Sequence, residues 1–206
     1  MRKQMRQIMR NNIEDKTNRR TRFRRTLSTW IFLAMAAAGG QTAWGSDIVF
    51  FTSLRTPSDS LFKEIYGNSV IDSGLNYGLT IYRGLEFRLE ASVFYQKGKS
   101  TVLEDETTLF LISPYAGLRY APEVLRGVRP YLGGGGCFGF YMENSRLGEA
   151  TGWAKGYKLE GGIRIKIFKR ISVDFNVSHI VLRAKVDEET INLGGLRLAL
   201  GVCQGF

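Results

Sequence analysis

The 206-residue chain is long enough for one domain, and at 44% hydrophobic and 23% charged it resembles ordinary folded proteins rather than a bundle of apolar transmembrane helices. Its net charge of +10 would suit a polyanion, but residues 1–45 hold ten Lys and Arg against only Glu14 and Asp15, which leaves the remainder at +2. A near-neutral body with both signs interspersed lacks the electrostatic footprint of a nucleic-acid binder, so nucleic acid is excluded as a partner.

The basic head runs into an uncharged stretch from Leu27 to Ala38 and then into Gly39-Gly40-Gln41-Thr42-Ala43-Trp44-Gly45. That order is the order of a secretory signal, with Ala43 and Gly45 as the small residues of a cleavage site before Ser46. Twelve residues rise about 18 Å as a helix, too short for a hydrocarbon core of about 30 Å, so a permanent membrane helix is disfavoured. The pair Arg19-Arg20 hints at twin-arginine export, but a chain that must enter a membrane as strands crosses unfolded, which favours the general secretory route. With no Cys near the cleavage point, a lipid anchor is not expected. The expected organisation is a cleaved signal over 1–45 and a single domain over 46–206.

From residue 46 onward the recurring pattern is alternation. Leu85, Phe87, Leu89, Ala91, Val93 and Tyr95 occupy every second position, with Glu86, Arg88, Glu90, Ser92 and Gln96 between them. Tyr157 to Ile167 and Leu196 to Val202 repeat the period. A period of two places each set on one face of a strand. These runs last ten or more residues, whereas soluble strands centre on about five or six, and ten is what a tilted strand needs to cross a bilayer. Eight strands are predicted, at 47–55, 70–82, 85–97, 107–120, 130–142, 157–167, 171–183 and 191–206. Short turns at 83–84 and 168–170 alternate with longer polar loops at 98–106, 144–155 and 184–190. Short turns on one side and long loops on the other are the mark of an outer-membrane β-barrel. A short helix is expected in the first outer loop, where Leu61, Phe62, Ile65 and Tyr66 stand at helical spacing behind Ser58 and Asp59.

Parity sorts the side chains. Phe87, Tyr95, Phe110, Leu118, Tyr120, Leu132, Phe138, Phe140 and Ile163 are assigned to the outer face, with Tyr95, Phe140 and Tyr157 at the outer rim and Tyr120 and Phe206 at the periplasmic rim. Asp72, Glu86, Glu90, Glu160 and Asp174 are assigned to the lumen with Arg88, Arg119, Lys158, Arg164, Lys166 and Arg197. The lumen of an eight-stranded barrel is only wide enough for side chains, so these charges read as a mutually satisfied network rather than the lining of a pore.

The stretch Arg129-Pro130-Tyr131-Leu132-Gly133-Gly134-Gly135-Gly136-Cys137-Phe138-Gly139-Phe140 resembles the Pro-Tyr-x-Gly-x-Gly strand of small OmpA-like outer-membrane β-barrels. Pro57-Ser58-Asp59 to Tyr66-Gly67, the Leu193-Gly194-Gly195-Leu196 strand and the terminal Phe206 resemble the same broad family. The resemblance implies an all-β, eight-stranded antiparallel transmembrane barrel in the bacterial outer membrane, surrounded by membrane lipid and lipopolysaccharide and monomeric. It also implies delivery by the barrel-assembly machinery, whose signal the alternating Leu198, Leu200, Val202 and Phe206 would form, with Gln204 breaking the row.

No cofactor or metal is expected, because no Lys-Ser/Thr follows the glycine run and His179 is the only histidine. Cys137 and Cys203 both point inward but on distant strands and at different depths, which predicts two buried free thiols rather than a bridge. His179 is the one weak catalytic candidate. Outer-membrane lipid A deacylases carry a His-x-Ser pair on the lipid-facing side near the outer rim, with a Glu nearby. Here His179 has the right face and Glu188 and Glu189 follow, but Val181 stands where the Ser belongs. Ser178 and Ser172 point the other way, Ser46 lies at the far end, and only Ser145 or Ser100 would remain within loop reach. The expected function is a non-catalytic structural or surface-interaction barrel, with a lipid A-modifying enzyme and a narrow channel as the alternatives.

Overall fold

The computed structural model describes residues 45–99, 106–145, 148–186 and 189–206; the expected signal segment lies outside the described residues except for Gly45. Nine strand segments are formed among the described residues: β1 Ser46–Pro57, β2 Val70–Tyr82, β3 Leu85–Lys99, β4 Glu106–Tyr120, β5 Val128–Ser145, β6 Gly148–Lys166, β7 Ile171–Val186, β8 Glu189–Asn192 and β9 Gly195–Gly205. One helix, α1 Ser60–Tyr66, follows β1. From β1 to β7 each strand pairs antiparallel with the next, β7 pairs antiparallel with both β8 and β9, and β9 pairs with β1, which closes the sheet on itself. The pairs Arg183 with Asn192 on β8 and Ile180 with Gly195 on β9 keep one register, so β8 and β9 are a single barrel strand interrupted at Leu193-Gly194. The barrel therefore has the eight strands that alternation predicts.

Register sets its shape. From Asp47 the pairing passes through Gly78, Arg88, Gly117, Gly135, Lys158, Ile180 and Gly195 and returns to β1 at Pro57, a stagger of ten residues. Ten residues of about 3.3 Å against eight spacings of about 4.8 Å tilt the strands by about 40°. The end bearing Ser46 and Phe206 is taken as periplasmic, as in the barrels the chain resembles. There Arg83 (φ 28°) and Gly84 (φ 87°) make the tight β2–β3 turn, whose positive φ at both positions matches strand twist.

Several details depart from the expected elements. The polar stretches 144–155 and 184–190 are not long loops: β5 and β6 stay paired up to Ser145 opposite Gly148, and β7 and β8 up to Val186 opposite Glu189. Above the lipid a strand has no reason to alternate apolar with polar, so hydropathy reads it as loop. Lys166 does not enter the lumen; it is the last residue of β6 and its side chain is exposed. Pro114 sits within β4 and interrupts pairing with β5 between Ile112 and Tyr115. The Ser113 hydroxyl donates to the Phe138 carbonyl at 3.2 Å, filling the gap that a residue without N–H leaves.

Outward side chains form an apolar band that includes Phe50, Leu89, Leu132, Phe138, Phe175, Leu198 and Val202, with Leu132 74% exposed. Every outer-face assignment made from parity holds. Aromatics edge the band, Tyr82, Tyr120, Phe168 and Phe206 at the periplasmic end and Tyr95 and Trp153 at the other. Such surface is stable only in lipid, and a closed barrel satisfies its backbone there.

Candidate functional site

The lumen is built in two storeys. The periplasmic and middle levels hold six buried acids, Asp47, Asp72, Glu86, Glu90, Glu160 and Asp174, and six buried bases, Arg55, Arg88, Arg119, Lys158, Arg164 and Arg197. Parity missed Asp47 and Arg55 and placed Lys166 wrongly; Arg129, half-buried on the inward row of β5, adds a further base 3.8 Å from Glu86. Asp47 joins two arginines, accepting from Arg88 at 2.5 Å and Arg164 at 2.7 Å. Glu86 pairs with Arg88, and Arg164 donates to Asp174 at 3.1 Å. One level up, Glu160 accepts from Arg119 at 2.9 Å and pairs with Lys158 at 3.0 Å. Glu90 is the hub, accepting from Lys158 at 2.7 Å, Arg197 at 2.8 Å and Asn76 at 3.0 Å. Arg55 and Asp72 form the top rung.

Aromatic rings and glycines make this packing possible. Arg119 stacks over Tyr131 at 3.9 Å and Lys158 over Tyr115 at 3.8 Å, so each cation is held by a carboxylate and a ring. Gly78 lies against the Arg88 guanidinium and Gly162 against the Tyr131 ring, where any Cβ would collide. Gly133 and Gly135 face inward against the β4 backbone, while Gly136 faces open space outside. The cavity that remains, about 20 Å³ and lined by Asn76, Glu90, Arg119, Glu160, Asn176 and Arg197, has the size and polarity of a site for one water.

The upper storey is apolar. Val70, Phe94, Leu109, Leu111, Tyr141, Ile180, Leu182 and Leu193 line it, and α1 lowers Phe62 and Tyr66 into its mouth. Asp59 caps α1, accepting from the N–H of Leu61 at 3.0 Å and Phe62 at 3.2 Å, and its other oxygen accepts from Asn192 N at 3.4 Å. The expected helix is therefore present and serves as a plug. Tyr66 donates to Glu143 at 2.6 Å, and burial together with that carboxylate pushes its phenol well above the ordinary range, so it remains a neutral donor. A cavity of about 60 Å³ between α1 and the wall, lined by Leu61, Ile65, Leu109, Ile191 and Glu143 among others, is the space left at the mouth.

Among the described residues the candidate catalytic residue gathers no site. His179 is exposed on the outward face, and its partners across the sheet are Leu159 and Leu196. Ser178 is turned into the lumen, where its hydroxyl accepts from Arg197 Nε at 3.0 Å. Ser145 donates to the Gly148 carbonyl at 3.3 Å in the β5–β6 hairpin, and Ser172 lies at the periplasmic end of β7. Ser100 and Glu188 lie outside the described residues, and Glu189 heads β8. Cys137 and Cys203 are buried free thiols. Leu198, Leu200 and Val202 face outward along β9, and Phe206 ends the chain at the periplasmic rim, exposed.

This geometry defines a class: a closed transmembrane barrel with a filled lumen, of the kind found in Gram-negative outer membranes. Solved structures of the same fold include the outer membrane protein OprG from Pseudomonas aeruginosa, with a TM-score of 0.61 and 14% identity over 81% of this chain and 98% of that one. Neisserial surface protein A aligns with a TM-score of 0.59 and 16% identity over 81% and 99%. Ail, the attachment invasion locus protein of Yersinia pestis, solved with the heparin analogue sucrose octasulfate, aligns with a TM-score of 0.55 and 14% identity over 80% and 100%. No protein-family model matches the chain, and no curated protein matches it in sequence.

Proposed function

We propose that this chain is a sealed outer-membrane barrel without catalytic activity, which acts as a structural or surface-interaction element through its outer end and lipid-facing wall. The observation that carries this reading is the filled lumen: six acids neutralise six bases through its lower levels, and Phe62 and Tyr66 close an apolar upper level. Neither level offers a continuous wet path, and the buried charges are tied to one another rather than left to draw ions through. Residues 1–45 act as the cleaved secretory signal, the barrel-assembly machinery inserts the chain as a monomer, and lipopolysaccharide is the lipid it meets outside. A surface role is supported by Ail, a barrel of this fold that takes a sulfated sugar, because cations also stand at the outer rim of this chain. The test is electrical. Purified barrel in planar lipid bilayers is expected to show no conductance steps, and steady openings of the wild type would replace this reading with the narrow channel.

A further inference from the structure

The outward face carries a facing pair of cations at its outer rim. Lys155 on β6 and Arg183 on β7 stand directly opposite each other, and both are exposed. Like charges in that position repel. Lys185, two residues further along β7, adds a third on the same face. Among the described residues none of the three has a carboxylate partner. Asn192, across from Arg183 on the other side, has its amide oxygen occupied by the N–H groups of Leu182 at 2.9 Å and Gly194 at 3.0 Å. Among the described residues nothing neutralises this pair, which leaves it open to an anion from outside the chain.

Depth and surface shape specify the anion. Immediately below the pair the facing residues are Tyr157 with Val181 and then Leu159 with His179, so the cations stand at the upper border of the lipid-facing band, at headgroup depth. On β5, Phe138 lies beside Lys155, and beneath it Gly136 and Gly134 lie beside Tyr157 and Leu159. A Cβ at Gly136 would meet no atom within 4 Å, and its neighbour on β4 is Ala116. Between the exposed side chains of Phe138 and Tyr157 the wall is therefore hollowed over Gly136 into a shallow trough below Lys155, which the Leu159 side chain, lying over Gly134, closes at its lower end. Cations above an apolar trough match a molecule with a charged head and a hydrocarbon tail.

We propose that Lys155, Arg183 and Lys185 bind a phosphate of an outer-leaflet glycolipid, lipopolysaccharide, with one acyl chain lying in the trough over Gly136. The inference rests on the reading of the chain as an outer-membrane barrel that meets lipopolysaccharide, and it locates the contact.

Barrel purified in detergent is titrated with diphosphoryl lipid A and with the same lipid stripped of phosphate, and retained lipid is counted by native mass spectrometry. One cation near a membrane surface is worth about fivefold in affinity, so Lys155→Gln/Arg183→Gln is expected to weaken diphosphoryl lipid A about twenty-fivefold while Lys97→Gln, at the rim on β3, changes it less than about twofold. The stripped lipid is expected to bind the double variant and the wild type alike. Gly136→Leu is expected to weaken lipid A by filling the trough. Heat-modifiable migration in gels verifies that each variant is folded. Tight binding indifferent to the double variant, or equally damaged by Lys97→Gln, overturns the site alone. Folded wild type that retains no lipid A overturns the lipopolysaccharide reading beneath it. Displacement of lipid A by acyl-free sucrose octasulfate as effectively as by lipid A itself assigns the cations to a soluble polyanion and also overturns the proposal.

Discussion

Glu90 shows what a single residue does in this lumen. Its carboxylate is shared by Lys158, Arg197 and Asn76, and all four side chains are buried. The desolvation cost of so many charges is large, and it is offset only while each has its partner. Glu90→Ala removes the shared partner and leaves Arg197 with the Ser178 hydroxyl and Lys158 with Glu160. The expected loss is about 3–5 kcal/mol, the cost of stranding a buried charge, read from urea unfolding of barrel refolded in phospholipid vesicles. Adding Lys158→Met should recover part of that loss, because it removes the positive charge left in excess, leaves Glu160 paired with Arg119 and retains apolar volume. A double variant no more stable than Glu90→Ala would show that the ladder is not the coupled system the geometry describes.

At the scale of elements, what decides a strand's fate is which face meets lipid and at what depth. Leu198 faces outward near the middle of β9, flanked by Leu54 and Val177, whereas Gln204 faces outward near the end of the same strand. Leu198→Arg is expected to cost about 2–4 kcal/mol and Gln204→Arg at most about 1 kcal/mol, because the penalty for a lipid-facing cation falls with distance from the bilayer midplane. Equal costs would put the register, and with it the membrane band, in the wrong place. Much of this arrangement is legible in the residues: β3, β6 and β9 alternate cleanly, and Ser58-Asp59 ahead of Leu61 and Phe62 announces α1. What is not legible has physical causes. In β1, Val49 and Phe51 are apolar yet point inward, Phe51 lying 4.9 Å beneath Arg197, so both faces of the strand look apolar and the lumenal roles of Asp47 and Arg55 are masked. The upper reaches of β5, β6 and β7 lie beyond the lipid, where no hydropathy signal marks a strand. That α1 folds inward as a plug depends on contacts with Leu109, Tyr141 and Leu193 from distant strands, which no local pattern encodes. The Lys155 and Arg183 pair likewise exists only once β6 and β7 are in register.

For the whole molecule the decisive event is closure of β9 onto β1, which pairs Asp47 through Pro57 with Gly205 through Gly195 and leaves no sheet edge exposed to lipid. Phe206 stands at the end of that seam. Its backbone N–H donates to the Ser46 carbonyl at 2.9 Å, while its ring is 60% exposed at the periplasmic rim and contributes little to packing. We propose for the ring another task, which the resemblance to outer-membrane barrels implies: the end of an assembly signal formed with Leu198, Leu200 and Val202. The two tasks are separable, because Phe206→Ala keeps the backbone hydrogen bond and removes only the ring. In vitro the refolded variant is expected to unfold within about 0.5 kcal/mol of the wild type, as surface substitutions do. In cells the same variant is expected to lower the yield of heat-modifiable barrel in the outer-membrane fraction severalfold, with unassembled chain degraded in the periplasm and export unaffected. Equal stability with equal yield would remove the assembly role from Phe206. A parallel fall in both would make the ring part of the barrel's own stability, and only stability without yield separates the signal from the seam.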